Sequence, residues 1–432
     1  MWRKFKQFIT SKSLITKIAF TLGLLLVFRI LILVPIPLFE RSLLVSWIAN
    51  NSFFEILNNF GGNALERASI LALGITPYIT ASIVVQMLQM VIPQLKEWQE
   101  QGESGQQKSS KLTRYLALVL AFAQGLMLII GSSANAVNTI LFGVLKPGQS
   151  PWPLYILMAL CITAGTCICI WIGDTITKKG IGNGTSMLIT AGIVTSIPNM
   201  GVYLFTNFVT NRSEWFDILW FIIIILLYIG VILFVTFIQS SERKIPVQYA
   251  NKGGGGTTHS DIPMKINSAS VLPVIFGSTL MSIPMTIAGF FSLNSTSGAG
   301  YWMDQVFNNR NVIGFILYMI LIVVFSFFYS FMQTNPDKMA DNLSKSNAFV
   351  PGIRPGDDTK NYIARLLFKI TVIGTVYLMF IAAMPLIIGK IFNLPSSISV
   401  GGTSLLIVVG VAIETCMQIE TEGQKDEYQG IY

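Results

Sequence analysis

Charged side chains are scarce in this sequence: they make up 12% of the 432 residues, against 52% hydrophobic, where an ordinary soluble domain carries roughly 25% charge. A soluble core-and-shell protein is excluded. Histidine occurs once, as His259, in a polar stretch with no acid or thiol spaced to join it on a metal. The four cysteines, Cys161, Cys167, Cys169 and Cys416, all lie in apolar surroundings. Cys167 and Cys169 form a C-x-C that fits no zinc or redox spacing, so the four read as small apolar side chains. HExxH, GxSxG and Walker sequences are missing, and the run Gly253 to Gly256 lacks the GK[ST] that a phosphate site needs. The chain is not expected to be an enzyme, and no cofactor or metal is expected.

What is present is a series of ten apolar stretches, each close to the ~20 residues that cross a hydrocarbon core. They fall at about 18–38, 73–92, 115–133, 152–173, 185–206, 216–238, 269–291, 312–333, 366–389 and 403–420. Backbone amides in lipid must be satisfied internally, so runs of this length are helices. The short alternating segments of an outer-membrane barrel are absent. The predicted class is an all-α polytopic membrane protein. The first run starts only at Ile18, is too long for a signal peptide and has no small-residue cleavage pattern behind it, so that helix is expected to be retained.

The +8 net charge matters through its placement. With the N-terminus in the cytoplasm, most of the 29 basic residues fall on that side, from Arg3 and Lys4 through Lys96, Lys178, Arg243 and Lys338 to Lys425. Only Arg41, Arg67, Lys146, Arg212, Arg310 and Lys390 fall on the other, and Arg29 lies inside the first span. The positive-inside rule then places both termini in the cytoplasm.

Ten spans divide into five and five near Arg212, giving halves 1–212 and 213–432. An odd number per half makes any repeat between them inverted, which puts a pathway at their interface. Two long loops, about 239–268 and 334–365, carry clustered basic, glycine and proline residues and form the candidate docking surface. KGIGNG at 179–184 reads as a turn into the fifth span. Between the first two spans lies FFEILNNFGGNALERASILALG, Phe53 to Gly74, too polar to face lipid and too apolar for an open loop. Either it folds back into the protein, bending at Gly61 and Gly62, or it is an amphipathic helix on the outer surface.

Ionisable residues within spans are few. Arg29 and Glu414 are the clear cases, each costing about 2.5–3.5 kcal/mol at the membrane centre on insertion scales, and Arg29 is open to two roles, bracing the bundle or serving the pathway. Polar uncharged residues recur at Thr80, Ser82, Gln86 and Gln89, at Gln124, and at Ser278, Thr279 and Ser282. Interhelical hydrogen bonds of about 0.6 kcal/mol hold an interface yet let it open.

Several segments together resemble the SecY family, the channel subunits of the bacterial protein-export translocon. They are VFRILILVPIP at 27–37, LALGITPYITASIVVQMLQM at 71–90, KGIGNGTSMLITAGIV at 179–194, NSASVLPVIFGS at 267–278, NPDKMADNLSKSNAFVPGIRPG at 335–356 and GGTSLLIVVGVAIE at 401–414. The resemblance runs over nearly the whole chain. It implies two inverted five-helix halves forming a clamshell around a central pore in the bacterial cytoplasmic membrane. Unfolded secretory polypeptides pass through the pore, and transmembrane segments leave sideways into lipid. An apolar pore ring is carried over onto Ile75, Ile79, Thr185, Ile189, Ile275 and Ile407. A lateral gate, between spans 2 and 3 on one side and 7 and 8 on the other, is carried over onto Thr80, Gln86, Gln124, Thr279 and Ile283. The plug would run from Phe53 to about Ala72, with Phe60, Gly61, Gly62, Asn63, Glu66 and Arg67 at its centre. Partner docking would use Arg243, Lys244, Lys252 and Arg354. The implied partners are the SecE and SecG subunits, the SecA motor ATPase, the ribosome, signal peptides and membrane lipid, with no nucleic-acid site apart from ribosome docking.

An apolar ring resists wetting and offers a sliding chain no fixed hydrogen bonds. The sequence departs from the family at Thr185, polar where an aliphatic residue is usual, and at Gln106 and Gln107, where paired arginines are usual. The tip NKGGGGTTHSD is short and lacks an arginine pair. These departures also fit an accessory SecY paralogue with a restricted substrate set. A secondary solute transporter with a five-plus-five repeat predicts ionisable residues at the midplane instead, and a membrane scaffold gives no reason for a plug-like segment.

Overall fold

Each of the ten apolar stretches contains a helix. The computed structural model describes residues 12–37, 58, 61–133, 152–210, 216–249, 260–269, 271–290, 298–308, 311–391 and 401–429. The helices on the predicted spans are α1 (Lys12–Leu31), α2 (Thr76–Val91), α4 (Glu103–Ser133), α5 (Trp152–Lys179), α6 (Gly184–Phe205), α7 (Phe216–Ser240), α8 (Leu272–Phe290), α10 (Val312–Gln333), α12 (Asp357–Ile391) and α13 (Gly401–Gln429). Shorter helices are α3 (Pro93–Glu100), α9 (Gly298–Phe307) and α11 (Pro336–Lys345). Among the described residues, seven helices (α1, α4, α5, α7, α10, α12 and α13) are long and apolar enough to cross a membrane. The chain is a multi-pass membrane protein.

Local chemistry sets several boundaries. Pro77 opens α2, and Pro93 forces Ile92 into an extended conformation that ends α2 and starts α3. Asn335 caps α11, its side chain accepting from the backbone N–H groups of Asp337 at 3.0 Å and Lys338 at 3.4 Å, with Pro336 in the first turn. The KGIGNG segment is the expected turn, with Gly182 at φ +84°. It is fixed from both ends of the chain: Ile181 N–H donates to Thr21 Oγ1 at 3.0 Å, and Gly182 N–H donates to Gln418 Oε1 at 2.8 Å.

The packing order repeats. α2 packs on α4, α4 on α5 and α5 on α6; likewise α8 packs on α10, α10 on α12 and α12 on α13. α1 leans on α5, and the corresponding contact of α7 with α12 is made by Phe234 against Tyr377 and Phe380, ring centroids 5.8 and 6.1 Å apart. The two series meet where α6 packs on α13 and where α4 touches α8. The division expected near Arg212 falls at 211–215, outside the described residues.

The sequence predicts two long loops at 239–268 and 334–365; the structure ties them together by strand pairing. β1 (Glu242–Tyr249) pairs antiparallel with β2 (Ser260–Lys265), Ile245 opposite Ile262, and with β3 (Ala348–Phe349), Tyr249 opposite Ala348. This three-stranded sheet is a small addition to a mostly helical fold. Period-2 alternation in Arg243–Lys244–Ile245–Pro246–Val247 buries Ile245 and Val247. Ile245 packs with Met264, Val350, Leu367 and Ile370, and Val247 packs with Leu343, Ala348 and Ile363, so the sheet rests on α11 and the start of α12.

Candidate functional site

The largest apolar cluster draws residues from every span except α4. Four ring candidates, Ile75 before α2, Ile189 in α6, Ile275 in α8 and Ile407 in α13, are buried in it, and Ile79 packs against it. Five side chains from four separate stretches of the chain thus fall in one cluster. Thr185 is not among them. It lies in the first turn of α6, where its hydroxyl donates to Asn183 Oδ1 at 2.7 Å and its backbone N–H donates to the same oxygen at 3.1 Å. The polar ring position is therefore engaged in capping its own helix.

Of the two readings of the segment before α2, folding back into the protein is the one the structure bears out. Residues 61–75 run as turns rather than as a surface helix, and most are buried. Ile36 N–H donates to Ala68 O at 2.7 Å and Ile70 N–H donates to Val34 O at 3.0 Å, an isolated bridge that ties the segment to the end of α1. Glu66 N–H donates to Asn58 Oδ1 at 3.0 Å and Asn63 N–H donates to Asn58 O at 2.8 Å, so Asn58 organises the turn. The bend is at Gly62, φ +67°, where a Cβ would come 2.9 Å from Gly192 Cα in α6 and 3.0 Å from Arg29 Nη1. Arg29 Nη1 donates to Gly62 O at 3.0 Å. Of the roles left open for this arginine, the contact is that of a brace on the folded-back segment. Ala64 and Leu71 enter the same cluster as the ring candidates. Glu66 is partly buried, Arg67 is exposed, and Phe60 lies outside the described residues.

A second apolar cluster joins the two helical series beside the first. Ile79 and Ile83 of α2 meet Leu272 and Phe276 of α8 and Leu321, Phe325, Phe328, Tyr329 and Met332 of α10. The Phe276 and Tyr329 rings are 4.6 Å apart. Gln86, a gate candidate, accepts a hydrogen bond from the Tyr329 hydroxyl at 2.6 Å across this seam and donates to Ser82 Oγ at 3.3 Å. Thr80 and Thr279 donate back to their own helices, to Thr76 O at 3.1 Å and Ile275 O at 2.8 Å. Gln124 of α4 carries a buried Oε1 without a hydrogen-bond partner among the described residues. Ile283 is exposed and belongs to none of the buried clusters.

On the sheet side, Arg243 and Lys244 are exposed on β1 and Arg354 is exposed in the turn before α12, its carbonyl accepting from Thr359 Oγ1 at 2.8 Å. Lys252 lies outside the described residues. Lys360 pairs with Asp337 at 2.5 Å, joining α11 to α12, and Lys17 pairs with Glu422 at 2.6 Å, joining α1 to α13.

The SecY family model matches residues 69–416. The chain belongs to the SecY family. The protein translocase subunit SecY of Staphylococcus epidermidis is 42% identical over 442 residues, covering 100% of this chain and 99% of the relative. Among solved structures, one described as a protein conducting channel superposes with a TM-score of 0.65 at 18% identity, over 94% of this chain and 92% of the other. A second, described as showing that the plug domain of the SecY protein stabilises the closed state of the translocation channel and maintains a membrane seal, matches at TM-score 0.63, 19% identity, 94% and 92% coverage. A canine Sec61 in a ribosome-channel complex from the endoplasmic reticulum matches at TM-score 0.62, 19% identity, with the same coverage. These likenesses establish the SecY fold for this chain.

Sequence reasoning missed three features of this SecY chain. Tyr329 was hidden in the apolar run FSFFYS, where a phenol counts as aromatic bulk; the signal was its need for an acceptor once buried. Asp174, which pairs with Arg114 at 2.7 Å between α5 and α4, sits one residue beyond the predicted end of its span. Asn58 looked like one polar residue among several, and nothing local marks it as the organiser of the turn.

Proposed function

We propose that this chain is the protein-conducting channel of a bacterial cytoplasmic membrane: unfolded secretory polypeptides cross through the cluster holding Ile75, Ile79, Ile189, Ile275 and Ile407, and apolar segments leave through the α2/α8–α10 seam. The observation that carries the reading is that convergence of aliphatic side chains next to a folded-back segment and a weakly bonded seam. Midplane ionisable groups of the kind a solute transporter uses are not what gathers there; Arg29, the deep charge, reaches the backbone of the folded-back segment. The halves are 1–212 and 213–432, the plug is 53–72, and both termini face the cytoplasm. Arg243, Lys244, Lys252 and Arg354 serve docking of the SecA ATPase or the ribosome, which supply the energy; SecE and SecG complete the complex. The pore itself catalyses nothing.

The test is a photo-crosslinking residue at Ile407, the chain being reconstituted with a secretory polypeptide stalled halfway. Crosslinks to that polypeptide, lost when Gln86→Cys and Tyr329→Cys are first joined by a short bis-maleimide, are the expected result. Crosslinks absent at Ile407 and at Ile275 alike would reject the channel reading.

A further inference from the structure

α9 joins α8 to α10 at the end of the bundle away from the sheet. One side of it is held. Phe307 packs against the central cluster, Gly300 is buried, and the Asp304 carboxylate accepts from Asn308 Nδ2 at 2.9 Å and Asn311 Nδ2 at 3.2 Å, which fixes α9 to the start of α10. The other side is bare: Tyr301 is 44% and Trp302 66% exposed, their rings edge-on at 6.2 Å.

The level of that bare face follows from its neighbours. α10 starts at Val312 and has 22 residues, about 33 Å at 1.5 Å per residue, enough for the ~30 Å hydrocarbon core. Its first two turns expose Val312, Ile313 and Ile316, which places the hydrocarbon edge there and α9 just outside it. Trp152 at the start of α5 and Trp220 in the second turn of α7 are exposed at the same end of the bundle. Amphipathic aromatic rings collect at this level, apolar body inward and polar N–H or O–H toward the headgroups.

We propose that Tyr301 and Trp302 seat α9 in the phospholipid interface, so that the connection between the two gate helices is anchored to the bilayer surface. The occupant is lipid because α9 is followed by a membrane-spanning helix whose start exposes the aliphatic side chains Val312, Ile313 and Ile316 at the same end of the bundle. Two rings also offer far less than the roughly 800 Å² per partner of a stable protein contact.

The test places an environment-sensitive fluorophore on Trp302→Cys in the full chain with its four native cysteines replaced, reconstituted in phosphatidylethanolamine–phosphatidylglycerol vesicles. Leu226→Cys in the middle of α7 and Gln106→Cys, exposed before the apolar part of α4, serve as deep and aqueous standards. Quenching by a nitroxide near the headgroup at least about twofold above quenching by a nitroxide near the chain end is expected. Quenching by aqueous iodide to the level of Gln106→Cys, chain-end quenching to the level of Leu226→Cys, or protection from every quencher would each overturn the proposal. Tyr301→Cys gives the same reading if the Trp302 variant does not insert.

Discussion

Tyr329 on α10 and Gln86 on α2 are joined by a 2.6 Å hydrogen bond that crosses the seam between the two helical series. The bond is worth about 0.6 kcal/mol on average and at most ~1.7 in a membrane protein, so it biases the seam toward closure without locking it. Tyr329→Phe keeps the ring against Phe276 and Phe328 and removes only the hydroxyl. The seam is expected to open about 3- to 18-fold more often. The readout is export of a reporter with a shortened apolar signal sequence, which should rise; unchanged or lower export would reject a latch at this bond.

The neighbouring side chain turns the other way. Ser330 is hydrogen-bonded to Thr371 at 2.6 Å, and Thr375 donates to Ser326 at 2.9 Å, a buried ladder between α10 and α12. These contacts lie within one series, so Ser330→Ala with Thr371→Val should lower thermal stability by about 1 kcal/mol and leave weak-signal export unchanged. A rise in export comparable to that of Tyr329→Phe would mean that α10 moves against α12 when the seam opens.

Gly62 has no room for a side chain. An added Cβ would lie 2.9 Å from Gly192 Cα, and the φ of +67° is itself unfavourable for an L-residue by about 1–2 kcal/mol. Gly62→Ala is expected to unseat the folded-back segment and raise resting ion conductance in planar bilayers. Gly23→Ala, where a Cβ meets nothing within 4 Å, is the silent control. Arg29→Met removes the brace on the same carbonyl and should raise conductance too, with the double variant leaking less than the two effects combined. Fully independent effects would separate Arg29 from the folded-back segment.

The apolar runs made the ten helices legible because hydrocarbon leaves the backbone one solution, and the aliphatic convergence followed once the SecY resemblance supplied which isoleucines to compare. The sheet was not legible as such: Ile245 and Val247 alternate correctly, but β1 needs β3, some hundred residues away and two residues long (about the sequence separation at which local pattern carries no information). Orientation of side chains about a helix was equally hidden. Tyr329 and Ser330 are adjacent in an apolar run, and only the packed bundle shows that one crosses the seam while the other stays within its series. Thr185 read as a polar departure from an aliphatic ring; only the structure shows that Asn183, two residues earlier, accepts its hydroxyl.

Gln124 carries the opposite sign to Tyr329. Its Oε1 is buried without a partner among the described residues, and an unsatisfied buried acceptor costs about 1–3 kcal/mol. α4 meets α8 where the two series touch. On the gate reading of Gln124, parting of the seam would let water reach this oxygen and relieve the cost, so that the native glutamine would favour opening. Gln124→Leu keeps the volume roughly constant and removes the polar group, and should reduce weak-signal export where Tyr329→Phe raises it, while raising the temperature at which the detergent-solubilised chain unfolds. Increased stability with unchanged export would place Gln124 inside its own half rather than at the seam. Combined with Tyr329→Phe, the leucine should return export toward the native level, because two changes of opposite sign on one equilibrium offset each other.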